Sequence, residues 1–276
     1  MRAAVVGHVE WVTFMRVARV PARGEILHAS DWWETAGGGG AGAAVQLARL
    51  AGNCDFFTAL GDDELGHRAA DQLRSLGVTV HATFRREPMR RAVTHLDRDG
   101  ERAITVLGDR LAPMASDDLP WELLSDADAV YVTAADVDAL HAARRARVVV
   151  ATSRILDLLM GSAVRLDAVV GSSNDPSETY PPNALDPAPN LVVRTEGERG
   201  GTFITDEGVE GRYAPATPPG PVIDRYGAGD SFAAGLSFAL GAGMDVTGAL
   251  ELAARCGAAV VTGRGPFDAQ LDASLL

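Results

Sequence analysis

Lysine is absent from this chain: all 25 strong bases among its 276 residues are arginines. A P-loop, a pyridoxal-phosphate Schiff base and a protein kinase each need a lysine at a set place. All three are excluded. Cysteine is scarce as well. Cys54 and Cys256 are the only two, too few and too far apart for a disulfide framework or a metal site. They read as buried free thiols of a reducing compartment. No apolar run is long enough to cross a bilayer, and the start, "MRAAVVGHVEW", is too short in its apolar stretch for a signal peptide. An excess of positive charge is also missing. The net charge is -12 and the pI about 4.9, which argues against a nucleic-acid partner. The expectation is a soluble cytoplasmic protein bound to neither nucleic acid nor membrane.

What is present is a globular composition, 47% hydrophobic, on a chain long enough for a large core. "AAVVG", "CDFFTALG", "DAVYVT", "RVVVAT", "DAVVGS" and "NLVVRT" are short apolar runs suited to buried strands. Helical segments such as "GAGAAVQLARLAG" and "ALELAARCGAAVVTG" alternate with them. That alternation predicts a parallel sheet with helices on both faces. No linker divides the chain, so residues 1–276 form one domain. Two stretches interrupt the alternation, near 12–35 and 84–110. In the second, Asp97-Arg98-Asp99-Gly100 joins two β-rich runs, a hairpin signal. The hairpin from about Ala92 to Leu107 and a strand near Glu25 to Glu34 are expected to pair outside the main sheet.

The segment "DRYGAGDSFAAGLSFALG" (Asp224 to Gly241) carries the chemistry. The first turn of a helix exposes unpaired N–H groups and a partial positive charge, where anions bind. Glycine lets backbone approach such an anion closely. Asp230, in that first turn, is by position either a capping residue or a base.

"DRYGAGDSFAAGL" resembles the C-terminal signature of the PfkB, or ribokinase-like, carbohydrate kinases. "TAGGGGAGAAVQLARLAG" is similar to the family's N-terminal glycine-rich signature, "HLDRDGERAI" to its lid hairpin and "VVRTEGERGG" to its nucleotide loop. The four stand in the family's order over nearly the whole chain. The resemblance implies an α/β three-layer sandwich of the ribokinase type, with a mainly parallel central sheet and a small β lid. It implies transfer of a phosphoryl group from ATP, with Mg2+, to a hydroxyl of a small sugar or nucleoside. Asp230 would be the base, and Gly227, Ala228 and Gly229 the anion hole. Thr195, Gly197, Gly200, Asp224, Arg225 and Cys256 would lie toward the nucleotide, with the helix from Cys256 to Val260 walling the adenine. Gly38, Gly39, Gly42 and Glu10 would lie toward the acceptor. Asp175 and Glu178 would hold magnesium through water.

Departures from the pattern matter. Arg225 replaces a threonine; it either reaches the phosphates or faces solvent. Asn174 and Glu178 are one residue too far apart for the family's N-x-x-E, whereas Asp175 and Glu178 have that spacing. Gly42 stands in place of a sugar-binding asparagine, and the usual sugar-clamping aspartate falls near Val12, which leaves Glu10 as the nearest carboxylate. A ligand-binding protein of the same fold with weakened catalysis is therefore the alternative. Gly37, Gly39 and Gly42 also satisfy G-x-G-x-x-G, but no apolar strand precedes them, against a dinucleotide site. "RREPMRR" (Arg85 to Arg91) reads as a solvated turn rather than as a contact to a phosphorylated acceptor. The histidines show no metal spacing. Trp32 and Trp33 offer apolar area for a homodimer joined through the lids.

Overall fold

Each apolar run becomes a strand of one central sheet in the computed structural model, which describes residues 1–275. The strands and helices are β1 (Ala3–Val6), β2 (Glu10–Arg16), β3 (Asp31–Gly37), α1 (Gly39–Ala51), β4 (Cys54–Gly61), α2 (Glu64–Ser75), β5 (Val78–Arg85), β6 (Arg91–Leu96) and β7 (Arg102–Leu107) in the first part of the chain. There follow β8 (Ala129–Val132), α3 (Val137–Ala143), β9 (Val148–Thr152), α4 (Leu156–Ser162), β10 (Ala168–Ser172), β11 (Leu191–Thr195), β12 (Gly201–Thr205), β13 (Glu210–Tyr213), α5 (Ala228–Gly241) and α6 (Val246–Val260). The nine-stranded sheet runs β13-β12-β11-β10-β9-β8-β1-β4-β5. It is parallel from β5 to β11. The β12–β13 hairpin, which the sequence reading does not place, extends it antiparallel.

The pleat explains why "AAVV" has no polar side. Ala3 and Val5 enter the core under α1, α2, α5 and α6, while Ala4 and Val6 enter the core under α3 and α4. A strand covered on both faces must be apolar at every position. Caps set the helix ends. Asp63 accepts from Gly66 N and Asp245 from Gly248 N, each meeting an otherwise unpaired donor.

A second sheet of four strands, β3-β2-β6-β7, lies apart from the first. The expected lid exists, with its boundaries corrected. Its third chain segment is Asp31–Gly37 rather than Glu25–Glu34, and Glu10–Arg16 joins as a further strand. Pro21 and Gly24 break the chain before Asp31, while "EWVTFMR" alternates its side chains between two faces. Trp32 and Trp33 therefore point to opposite faces: Trp32 is 65% exposed, but Trp33 stacks on Phe14 at 4.9 Å. They cannot form one apolar patch.

The lid's inner face is Val12, Phe14, Ala92 and Leu96, closed by Tyr226 from the segment that opens α5. Phe14 is fully buried and meets the Tyr226 ring edge-on at 5.0 Å. The hairpin turn is closed by Asp97, whose carboxylate accepts from Asp99 N and Glu101 N. It rests on the same segment, with Gly100 O accepting from Arg225 N at 3.3 Å. Phe14 is thus the joint between lid and body. Phe14→Ala is expected to cost about 3–5 kcal/mol in urea unfolding, and a loss under about 1 kcal/mol would show that the lid does not depend on this joint.

Candidate active site

The site is built at the start of α5. Asp224 is wholly buried, and its two carboxylate oxygens accept from Tyr226 N (2.8 Å) and Gly265 N (3.0 Å). This pins the segment before the helix to the turn after α6. Gly227 then turns the chain at φ 81°, and no side chain caps the helix. The first-turn N–H groups are left facing outward, the arrangement that accepts an anion. The sequence expectation put Asp224 toward the nucleotide. Both of its oxygens are taken and it has no exposed surface, so it positions the loop and touches no ligand.

Asp230 is half-buried in the first turn of α5, facing the start of α1. A Cβ on Gly39 would lie 2.8 Å from Asp230 Oδ1, and one on Gly42 would lie 3.4 Å from Asp230 Cβ. Glycine is needed at 39 so that the carboxylate can occupy that space. Burial first, then the nearby Glu178 charge, push the Asp230 carboxyl up to about 6, against the pull of Arg154 and Arg102. Its form then changes close to neutrality, as suits a proton acceptor.

Around Asp230 the structure gathers groups from several places in the chain. Glu10, at the start of β2, is buried and pairs with Arg90 Nε at 2.7 Å. His8 lies beside it, 3.8 Å from Glu10 Oε1 and 3.5 Å from Thr133 Oγ1. Gly38, at φ 86°, packs against both Glu10 and His8, and its N–H donates to Tyr226 Oη at 3.0 Å. Burial, then the charges of Arg110, Arg90 and Arg154, hold His8 well below the usual imidazole range, so it is neutral. Gly38, Gly39, Gly42, Glu10 and Asp230 come together as expected. His8, Arg110 and Arg154 carry no motif and were not found in the sequence. Arg90 was in sight, but as part of a solvated turn; its side chain is only 14% exposed and faces inward.

On the other side of Asp230, Thr195, Gly197 and Gly200 form a turn next to the loop 172–178. Ser173 N donates to Thr195 O, and Gly197 lies against the Asn174 side chain. Arg225 neither reaches toward a phosphate nor stands free. It pairs with Glu101 of the lid turn at 2.9 Å and with Glu198 of the 197–199 turn at 2.5 Å. Cys256 does not wall a ligand: it is fully buried between α6 and α5, where a Cβ on Gly235 would meet its Sγ. Gly257 and Ala258, partly open, are the part of α6 that fronts the start of α5.

Asp175 and Glu178 differ from expectation too. Arg154 pairs with both, and Glu178 Oε2 also accepts from Ser172 N. Burial opposes it, but the Ser177 hydroxyl and N–H with Arg154 hold Asp175 down to about 2. No group of three metal-ligating side chains occurs among the described residues. Carboxylates spent on a guanidinium do not fit a magnesium ligand set. Such an ion would be held by a nucleotide's own phosphates and water, as Mg2+ commonly is.

Comparison with known proteins bears on this geometry. A family model described as pfkB family carbohydrate kinase matches residues 2–157 and 145–272. The chain is 29% identical over 273 residues to an ATP-dependent ribose-1-phosphate kinase of Halopiger xanaduensis, covering 94% of this chain and 91% of that one. In structure it is similar to a ribokinase from Thermotoga maritima, with a TM-score of 0.80 at 18% identity over 99% of this chain and 97% of that one. It is equally similar to an adenosine kinase from Sinorhizobium meliloti, with a TM-score of 0.80 at 18% identity over 99% and 98%.

The raised Asp230 carboxyl predicts a stability signature. The folded state holds that proton more tightly than the unfolded state, so ionisation weakens the fold as pH rises from the ordinary 3.8 through about 6. Asp230→Asn removes the penalty. At pH 8 the variant is expected to melt roughly 2–4 °C above the native chain, allowing for partial exposure. The gain should vanish by about pH 4. An equal gain at both pH values would mean that the charge is not its source.

Proposed function

The chain belongs to the pfkB family of carbohydrate kinases and is an ATP-dependent phosphotransferase for a small sugar or nucleoside; within that activity we propose the following roles. The observation that carries them is the half-buried Asp230 carboxylate, fitted against Gly39 and Gly42 at the uncapped start of α5. The acceptor hydroxyl lies between Asp230 and the first turn of α5. Its oxygen bonds to the γ-phosphorus of ATP as the bridge to ADP breaks, and its proton passes to Asp230. The N–H groups of Gly227, Ala228, Gly229 and Asp230 face the charge that spreads over the transferring oxygens. Phosphoryl transfer depends chiefly on such positioning and charge stabilisation.

The nucleotide lies along Thr195, Gly197 and Gly200, with Gly257 and Ala258 near its base. Arg225 joins the lid turn to the 197–199 turn, so closure over the acceptor and ordering of the nucleotide loop are one event. Closure excludes water, which would otherwise compete as acceptor. A binding protein without catalysis would turn Asp230 from the cleft or fill the helix start with a side chain; the chain does neither. The relatives' names divide between neutral acceptors, ribose and adenosine, and a phosphorylated one.

Release of ADP from MgATP, with sugars, sugar phosphates and nucleosides as acceptors, tests the activity. Asp230→Asn keeps the shape but cannot take the proton. Its turnover is expected to fall by ~10²–10⁴-fold while ATP still binds. A variant retaining most of its kcat would make Asp230 a structural residue. In the native enzyme kcat/KM should fall tenfold per pH unit below about 6 and be flat above neutrality.

We also propose a homodimer joined through the lids. The exposed Ile104 and Val106 of edge strand β7 support it, because a bare edge of this kind invites a partner; the exposed Trp32 stands on the opposite edge and face of the same sheet and shares no patch with them. Sedimentation at micromolar concentration should show a dimer weakened by Ile104→Glu. A monomeric native chain would leave the lid only its role over the acceptor.

A further inference from the structure

Three arginines from separate parts of the chain bring their charge to bear on His8. Arg90 immediately precedes β6 and Arg110 follows β7. These strands pair antiparallel with Arg91 opposite Leu107, and a Cβ on Gly108 would lie 4.0 Å from Arg90 Cα. The two arginines therefore leave the two feet of one hairpin. Arg154 comes from the opposite wall, just beyond β9. All three act on His8, and Arg90 and Arg154 both act on Arg110.

Two of the three have acidic partners. Arg90 has Glu10, and Arg154 has Asp175 and Glu178. Arg110 has none among the described residues, and its Nε is shielded from solvent with no hydrogen-bond partner. A half-buried guanidinium without an acceptor, beside two like charges, is unfavourable. Its neighbours tell which ligand would complete it. Arg90 pairs with Glu10, which packs with His8 against Gly38 at the foot of the lid, and the Arg110 charge acts on His8, while Thr195, Gly197 and Gly200 lie beside the 172–178 loop. The missing anion thus belongs to the acceptor. A carboxylate has two oxygens and is satisfied by one guanidinium fork, whereas a phosphate ester presents three oxygens and suits several forks.

We propose that the acceptor is itself a phosphate ester, its phosphate held by Arg110 and Arg90 at the feet of the lid hairpin, with Arg154 facing it from across the cleft. This rests on the phosphotransfer reading above. His8, neutral and buried, fills the floor between the arginines without adding a fourth charge. The ester's free hydroxyl is presented to Asp230 past Gly38 and Gly39. Binding energy from the non-reacting phosphate then positions that hydroxyl and draws down the hairpin on whose feet the arginines stand. A neutral sugar lacks this anchor.

The test uses the full chain with MgATP. ADP release is measured for ribose against ribose 1-phosphate and ribose 5-phosphate, for fructose against its 1- and 6-phosphates, and for gluconate as a carboxylate control. At least one ester should exceed its parent sugar by ~10²-fold or more in kcat/KM. Arg110→Ala should raise the KM of that ester by roughly 10–100-fold and leave the KM of ATP unchanged, with Arg110→Lys between. Equal turnover of parent and ester, gluconate ahead of every ester, or an Arg110→Ala defect confined to ATP would each overturn the proposal. If nothing is phosphorylated, calorimetry with the esters and with inorganic phosphate decides. Binding lost in Arg110→Ala keeps the anion site and removes the kinase reading, and absence of binding overturns the site.

Discussion

Four consecutive residues, Asp224 to Gly227, hold the cleft together, and the last three depend on the first. Its carboxylate, wholly buried, bonds one N–H on either side of the gap between the α5 approach and the turn after α6. With that segment fixed, Arg225 reaches both the lid turn and the 197–199 turn, Tyr226 fills the lid core and meets Gly38, and Gly227 turns the chain into α5. Burial raises the Asp224 carboxyl even though both of its hydrogen bonds favour the charged form. The charged form thus carries a desolvation cost that its two bonds do not fully offset. Its contribution is geometric. One segment aligns Asp230, the uncapped start of α5 and the lid at once, and a looser anchor would misplace all three together.

The parts of this arrangement that could be read in the sequence are those whose meaning is local. Gly227 to Asp230 announce a helix start, Asp97 to Gly100 a hairpin and Gly52 a helix stop, because each works through its own backbone. Alternating apolar runs gave the parallel sheet for the same reason. What depends on distant partners stayed hidden. Asp224 looks like a ligand contact until Gly265 is seen to bond it. Cys256 looks like a pocket wall until α6 packs it against Gly235. Arg90 is one of four arginines in "RREPMRR", and only the pairing of β2 with β6 turns it inward to Glu10. Strand β2 could have been seen: "EWVTFMR" alternates and is rich in β-branched and aromatic residues.

The charges around Asp230 make one system. In its proposed role as base, Asp230 must not be held down by the cations beside it, and this chain, without lysine, supplies them as arginines that stay charged at any working pH. Arg154 and Arg102 pull the Asp230 carboxyl down, while burial, Glu178 and Glu10 push it up, and the balance stands near 6. The two carboxylates that the sequence offered for magnesium instead face a guanidinium. Asp175 and Glu178 restrain Arg154, and Glu10 restrains Arg90. Remove those carboxylates and the arginines would drag Asp230 toward the ordinary carboxylate range, where it is a weaker base. Leave Arg110 alone unrestrained, as the chain does, and a single unmatched positive charge remains at the acceptor end. Its field falls where the proposed phosphate ester would bind, and a dianion there would itself help to keep the Asp230 carboxyl raised, since like charges resist ionisation together.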